Sequence, residues 1–180
     1  LFSVVMHIAK ARWSGPLASI AESFTAFFPI SFLLFLGLYL GKSHVFPWIG
    51  EDLHGKEIWL NIPFLFSRDA IGLAILYWLG FVYLYYSLGL KLHREEPSGA
   101  LRNVLYKLWG NGESDGERFK GPMSFVGVLY IFAFAIVLSL IGYDLVMSMD
   151  PHWYSTLFGA YHFVKAFYVG LGAIIVLAAI

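Results

Sequence analysis

The sequence predicts an all-α fold, a polytopic transmembrane helix bundle with four spans and part of a fifth. Three observations lead there. Hydrophobic residues make up 59% of the 180 and charged residues 13%, whereas a soluble domain carries about 25% charged residues. The charges collect in a few short segments, and the apolar runs between them reach the ~20 residues that cross a bilayer. Prolines stand near the start of four of these runs, where a missing backbone N–H costs a helix nothing.

The spans fall at about 1–11, 16–40, 62–90, 122–148 and 151–180. The chain is treated as a single transmembrane domain. Leu1 and Ile180 lie within apolar runs, so the expectation is a piece cut from a longer polypeptide. Pro16, Pro63, Pro122 and Pro151 open the four later spans, preceded by Ser14, Asn61 and Asp150 as plausible N-caps. Pro29 differs, because it falls mid-span and is expected to kink its helix.

Loop charge sets the expected orientation. Lys10, Arg12, Lys91, Arg94, Arg102, Lys107, Arg118 and Lys120 all belong to one side. The other side holds Lys42 and Lys56, with Arg68 just inside its span. The basic excess directs the 91–121 loop to the cytoplasm and the 41–61 and 149–154 loops to the periplasm. Within the cytoplasmic loop, Ala100, Leu101, Val104, Leu105, Leu108 and Trp109 recur at helical spacing, the pattern of a short interfacial helix. Trp48 and Trp59 read as interfacial anchors on the opposite side.

Ionisable side chains inside a span are costly, so each is a functional candidate. Lys165 lies about 14 residues beyond Pro151, about 21 Å at the helical rise, with His162 one turn earlier. These two are candidates for a proton or quinone contact; the structural alternative is a paired or snorkelling lysine. Glu22 has two readings. Ser19-Ile20-Ala21-Glu22 matches a capping box, or Glu22 opens a proton path if its helix starts at Pro16. Arg68, Asp69 and Asp144, with Asp150 and His152, gather at the periplasmic end as a proton outlet, a docking site for a redox partner, or a set of ion pairs and caps. His7 lies near the opposite end and does not match the depth of His162, so a bis-histidine haem within the chain is not expected. The absence of cysteine excludes thiolate-ligated clusters and c-type haem attachment in this segment. The zero formal net charge leaves no nucleic-acid footprint.

Two strings resemble a known family. One runs His7-Ile8-Ala9-Lys10-Ala11-Arg12-Trp13-Ser14-Gly15-Pro16-Leu17, through Ala21-Glu22 and Pro29 to Phe46-Pro47-Trp48. The other is Tyr143-Asp144-Leu145-Val146-Met147-Ser148-Met149-Asp150-Pro151-His152-Trp153-Tyr154-Ser155-Thr156. Together they resemble the ActF-type membrane subunit of bacterial alternative complex III, within the wider NrfD/polysulfide-reductase membrane-subunit family. The resemblance implies a subunit of a quinol:electron-acceptor oxidoreductase in the bacterial inner membrane, without a redox centre of its own. Quinol or quinone is then the substrate of the complex. Haem c and iron–sulfur clusters are implied on partners: a multihaem cytochrome c, an iron–sulfur subunit and a sister quinol-binding membrane subunit. His7, Asp150 and His152 are the motif positions, and Glu22, Arg68 and Asp144 match or neighbour them. His162 and Lys165 fall outside both strings. Two other function classes fit the same residues, a secondary transporter or ion channel and a structural anchor for electron-transfer subunits.

Overall fold

The structure is a computed structural model that describes residues 1–11, 13–50, 52–53, 55–94, 117–150 and 152–180. The proposed interfacial helix at 100–109 lies outside the described residues. Arg12, Arg102, Lys107 and Pro151 lie outside them too.

Among the described residues every long element is helical, and four helical runs meet the length and apolarity of a membrane span: Gly15–Leu40, Ile62–Lys91, Arg118–Met149 and Phe158–Ala178. The chain is a multi-pass membrane protein. Helix α1 (Phe2–Ile8) is the short leading piece. It ends where Lys10 takes a left-handed backbone, φ 54°, so the apolar tail stops before Ala11.

The second span is broken in the way Pro29 predicts. Its first part, α2, runs Gly15–Ser23; a 3₁₀ turn follows at Phe24–Phe27, and α3 resumes over Phe28–Leu40. Pro29 has no N–H to give to the carbonyl one turn back, and the tighter turn absorbs the lost bond. After the short α4 (Lys42–Val45), the described residues between 46 and 60 pack against the end of the bundle. Phe46, Trp48, Leu53 and Leu60 are buried there, and the Phe46 ring meets Phe66 at 5.9 Å.

Helix α5 (Ile62–Arg94) starts where expected and continues past Leu90. Helix α6 runs Glu117–Ile141, with Pro122 inside the helix rather than at its opening. Pro122 is the sixth residue of this helix, so the ladder loses the one bond that an N–H there would give to the Arg118 carbonyl. The same span then widens to a π segment at Gly142–Val146 and tightens to 3₁₀ at Met147–Met149.

The last span departs most from expectation. Helix α7 runs Phe158–Ala178, not from 151. Asp150 does not cap it. Its Oδ1 accepts the His152 N–H in a turn, and its carbonyl accepts from Trp153 N. The Tyr143 hydroxyl donates to the Thr156 carbonyl and holds the connection down. Lys165 is therefore seven residues into its helix, about 10 Å rather than 21 Å.

Lipid gives apolar side chains no reason to cluster, so close backbone approach does more of the packing. Helices α5 and α6 form the central pair, with α1 and α7 also laid against α6. A methyl group at Gly80 would come within 2.7 Å of the Phe28 ring, and one at Gly127 within 3.1 Å of Val4. At Gly142 it would come within 2.8 Å of His162. Outward faces carry Leu33, Ile71, Trp78, Phe132 and Tyr168, all exposed.

Candidate functional site

Two buried polar clusters sit at opposite ends of the α5–α6 pair. The first is built on Glu22. Helix α2 begins at Gly15, and the Ser19 hydroxyl donates to the Gly15 carbonyl, so the capping box does not form. Glu22 instead turns into the bundle and is 7% exposed. Its Oε1 accepts from the hydroxyls of Ser3 (2.6 Å) and Ser87 (2.7 Å), and its Oε2 from Lys91 Nζ (2.7 Å). Lys91 also donates to the Ser19 hydroxyl at 2.9 Å. The Tyr83 hydroxyl extends the cluster to Ser3 at 3.3 Å. His7 Nε2 is 3.1 Å from the Ser124 hydroxyl, and its ring stands edge-on to Tyr83. A cavity of about 810 Å³ opens over this cluster between α1, α2, α5 and α6.

The second cluster is built on Asp144, which is fully buried. Its Oδ2 accepts from Arg68 Nε (2.8 Å) and Nη2 (2.6 Å), and its Oδ1 from Trp59 Nε1 (2.9 Å). The guanidinium carbon lies 3.8 Å from the Trp59 ring centre and 4.7 Å from that of Phe64. A desolvated cation against aromatic faces in this way gains ~2 kcal/mol. Ser148, in the 3₁₀ turn, donates to the carbonyl of Asp144 in the π segment at 2.5 Å. Asp69 is 1% exposed, and among the described residues neither of its carboxyl oxygens receives a donor. Its neighbours are Arg68 and the Asp144 carboxyl, which is itself an acceptor. Among these three groups, one positive charge faces two carboxyl groups.

On α5, Asp69 and Ser87 are separated by 18 residues, about 27 Å along the axis. The space between them is uneven. From Glu22 a second cavity of about 100 Å³ runs inward past Thr25 and Gly80 to Tyr130, room for a few water molecules. Beyond it, Leu73, Leu76 and Val137 are buried and close the way to Asp69. The Ser31 and Tyr77 hydroxyls meet at 2.7 Å on the neighbouring face.

The remaining sequence candidates are placed elsewhere. His162 is half-buried against Gly142 and stands 6.3 Å from the Phe158 ring. Lys165 is on an exposed face of α7, its ammonium 5.8 Å from the Tyr161 ring centre. Neither is bonded to the two clusters. Asp150 and His152 are exposed in the turn before α7. The structure thus joins Arg68, Asp69 and Asp144, and leaves Asp150 and His152 out of their bonding.

Four partners were not singled out by sequence reasoning as site residues: Lys91, Ser3, Ser87 and Trp59. Their signal was weak. Lys91 reads as one more loop charge, and the serines are common in spans. Ser87 falls on the Asp69 face of α5, five turns on, and that register would have found it. Comparison with protein-family models, with characterised proteins and with solved structures returns no match.

Proposed function

We propose that this chain is a membrane subunit of a respiratory quinol:electron-acceptor oxidoreductase of the alternative complex III type, in the bacterial inner membrane, and that it carries protons rather than electrons. One observation carries the reading: an unpartnered, fully enclosed carboxyl group, Asp69, beside the Arg68–Asp144 pair, at the far end of the same helix that supports Glu22 and Lys91. Three charged groups with a surplus carboxyl need one more positive charge, and a proton is the smallest that fits.

Each part then has a task. Lys91, Ser3 and Ser87 hold Glu22 facing the bundle. The small cavity toward Tyr130 admits water from that side. Arg68 and Trp59 fix Asp144, which leaves Asp69 as the group that gains and loses the proton. The apolar stretch at Leu73, Leu76 and Val137 keeps the ends separate until water enters it. Quinol oxidation, which releases protons and electrons together, belongs to the sister subunit in this reading. The electrons leave through haem c and iron–sulfur partners. The basic 91–121 loop faces the cytoplasm and Asp144 the periplasm.

The test is gentle purification from native membranes, with a reduced-minus-oxidised visible spectrum and identification of the co-purifying chains. Multiple c-type haem bands with an iron–sulfur partner are expected. A solitary, haem-free protein overturns the proposal.

One observation favours a second reading, a secondary transporter. The 3₁₀ turn at Phe24–Phe27 and the π segment at Gly142–Val146 are interrupted helices beside buried carboxylates, a common setting for ion sites. Solute uptake by the isolated chain in liposomes would favour it.

A further inference from the structure

Helix α7 turns most of its surface outward, and only Gly159 and Ile174 are buried on it. The outward stripe runs Tyr161, Val164, Lys165, Tyr168, Gly172 and Ile175, at the three- and four-residue spacing of one helix face. Such a stripe suits lipid except at Lys165 and Tyr168. Neither has a hydrogen-bond partner among the described residues, and the Lys165 ammonium meets the Tyr161 ring at 5.8 Å.

Depth makes this costly, because the start of α7 lies well below the outer end of α6. A methyl group on Gly142 would come within 2.8 Å of His162, and one on Gly159 within 2.9 Å of the Ser139 side chain. Gly142 is seven residues before Met149, where the α6 span ends, about 10 Å along the axis. Lys165 is three residues beyond His162, so it lies about 15 Å from that end, half of the ~30 Å hydrocarbon core. Leaning one turn outward to Tyr161 recovers about 5 Å. The ammonium still stops short of the headgroups, so snorkelling does not solvate it. A charge at this depth nearly always faces protein or a water-filled cavity, not acyl chains.

We infer that this face of α7 is covered by a transmembrane helix of another polypeptide, which carries an aspartate or glutamate at mid-membrane depth against Lys165. Lys165 and Tyr168 lie one turn apart, so one carboxylate can accept from both. Gly172 has no atom near the position of a methyl group, which lets a partner backbone come close. A second copy of this chain has no such group to offer. Helix α7 has no acidic residue, and the carboxyl groups of the other three described spans, Glu22, Asp69 and Asp144, are all buried. The inference rests on the reading of this chain as one subunit of a membrane complex, and adds the face and the charge of the contact. The pair holds the partner and carries no proton.

The test places a photo-crosslinking benzoylphenylalanine at Tyr168, which is 76% exposed, in the full chain in its native membrane. Leu33, on an outward face of α3, takes the same probe as the control. Irradiation followed by mass spectrometry should give a Tyr168 adduct to an apolar segment of another protein that contains a carboxylate. Lys165→Glu should then lower the amount of that protein recovered with the chain at least about ten-fold, as two like charges meet. Exchanging the partner's carboxylate for lysine in the same strain should restore it. An adduct to lipid alone, to this polypeptide itself or to a helix without a carboxylate would overturn the inference, as would unchanged recovery with Lys165→Glu. A carboxylate-bearing partner in a haem-free preparation supports the contact and removes the respiratory reading. Haem bands with an adduct to lipid alone do the reverse.

Discussion

Charge substitution at the Arg68–Asp69–Asp144 cluster should give an order of stabilities that packing alone does not. With both carboxyl groups ionised, the three groups sum to minus one. Arg68→Met takes the sum to minus two, with both carboxylates enclosed and both guanidinium bonds to Asp144 gone. Removing one partner of a buried pair costs about 3–5 kcal/mol. At about 2–4 °C per kcal/mol for a chain of this size, the apparent melting temperature should fall by roughly 10 °C. Asp144→Asn takes the sum to zero. The amide oxygen still accepts one donor, and Arg68 can turn to Asp69, so the loss should be about 1 kcal/mol and a few degrees. Asp69→Asn also gives zero and removes no donor that Asp69 receives among the described residues. It should leave stability level or raise it. The assay is a temperature ramp on the detergent-purified protein, followed by size-exclusion chromatography of what remains folded. If Asp69→Asn loses as much as Arg68→Met, Asp69 has a charged partner in the protein and the charge count is wrong.

Further substitutions probe the rest of the structure. Glu22→Gln should leave Lys91 without its counter-charge and slow turnover of the complex, while the serine bonds keep the side chain in place; unaltered turnover would remove Glu22 from the path. Trp59→Phe deletes the donor to Asp144 Oδ1 but keeps a ring against Arg68, and should cost about 1 kcal/mol in the same temperature ramp. Gly142→Ala drives a methyl to 2.8 Å from His162 and should lower the melting temperature by several degrees, whereas Gly170→Ala, with nothing near, should not. Lys165→Met should leave turnover near that of the unmodified complex, since among the described residues its ammonium meets the Tyr161 ring and neither polar cluster; a large loss would restore it to the path.

How much of this was legible in the sequence follows from what each residue depends on. The span count, the break at Pro29 and the start of α5 come from local chemistry: apolar length, a missing N–H, a run of loop residues before Ile62. The meeting of Arg68 with Asp144 was legible as a gathering at one end, because alternate spans return to the same side. Local signals failed at two places. Asp150 preceding Pro151 reads as a helix start, but Asp150 turns its carboxylate to His152 N and the helix waits until Phe158. That delay brought Lys165 about 10 Å nearer the end of its span. Ser19 and Glu22 match a capping box, but the partners Glu22 finds are on α1 and α5, 19 to 69 residues away. No window of local sequence contains them. Nor does composition reveal that Asp69 is left without a donor, because that depends on which way Arg68 and Trp59 reach.

The central claim is that protons cross this chain through Glu22 and Asp69. The most direct measurement is proton release per electron by the purified complex in liposomes, comparing the unmodified chain with Asp69→Asn. The account predicts a properly assembled and equally stable complex whose proton release and turnover fall together. Unchanged release and turnover in a complex that carries Asp69→Asn would contradict it.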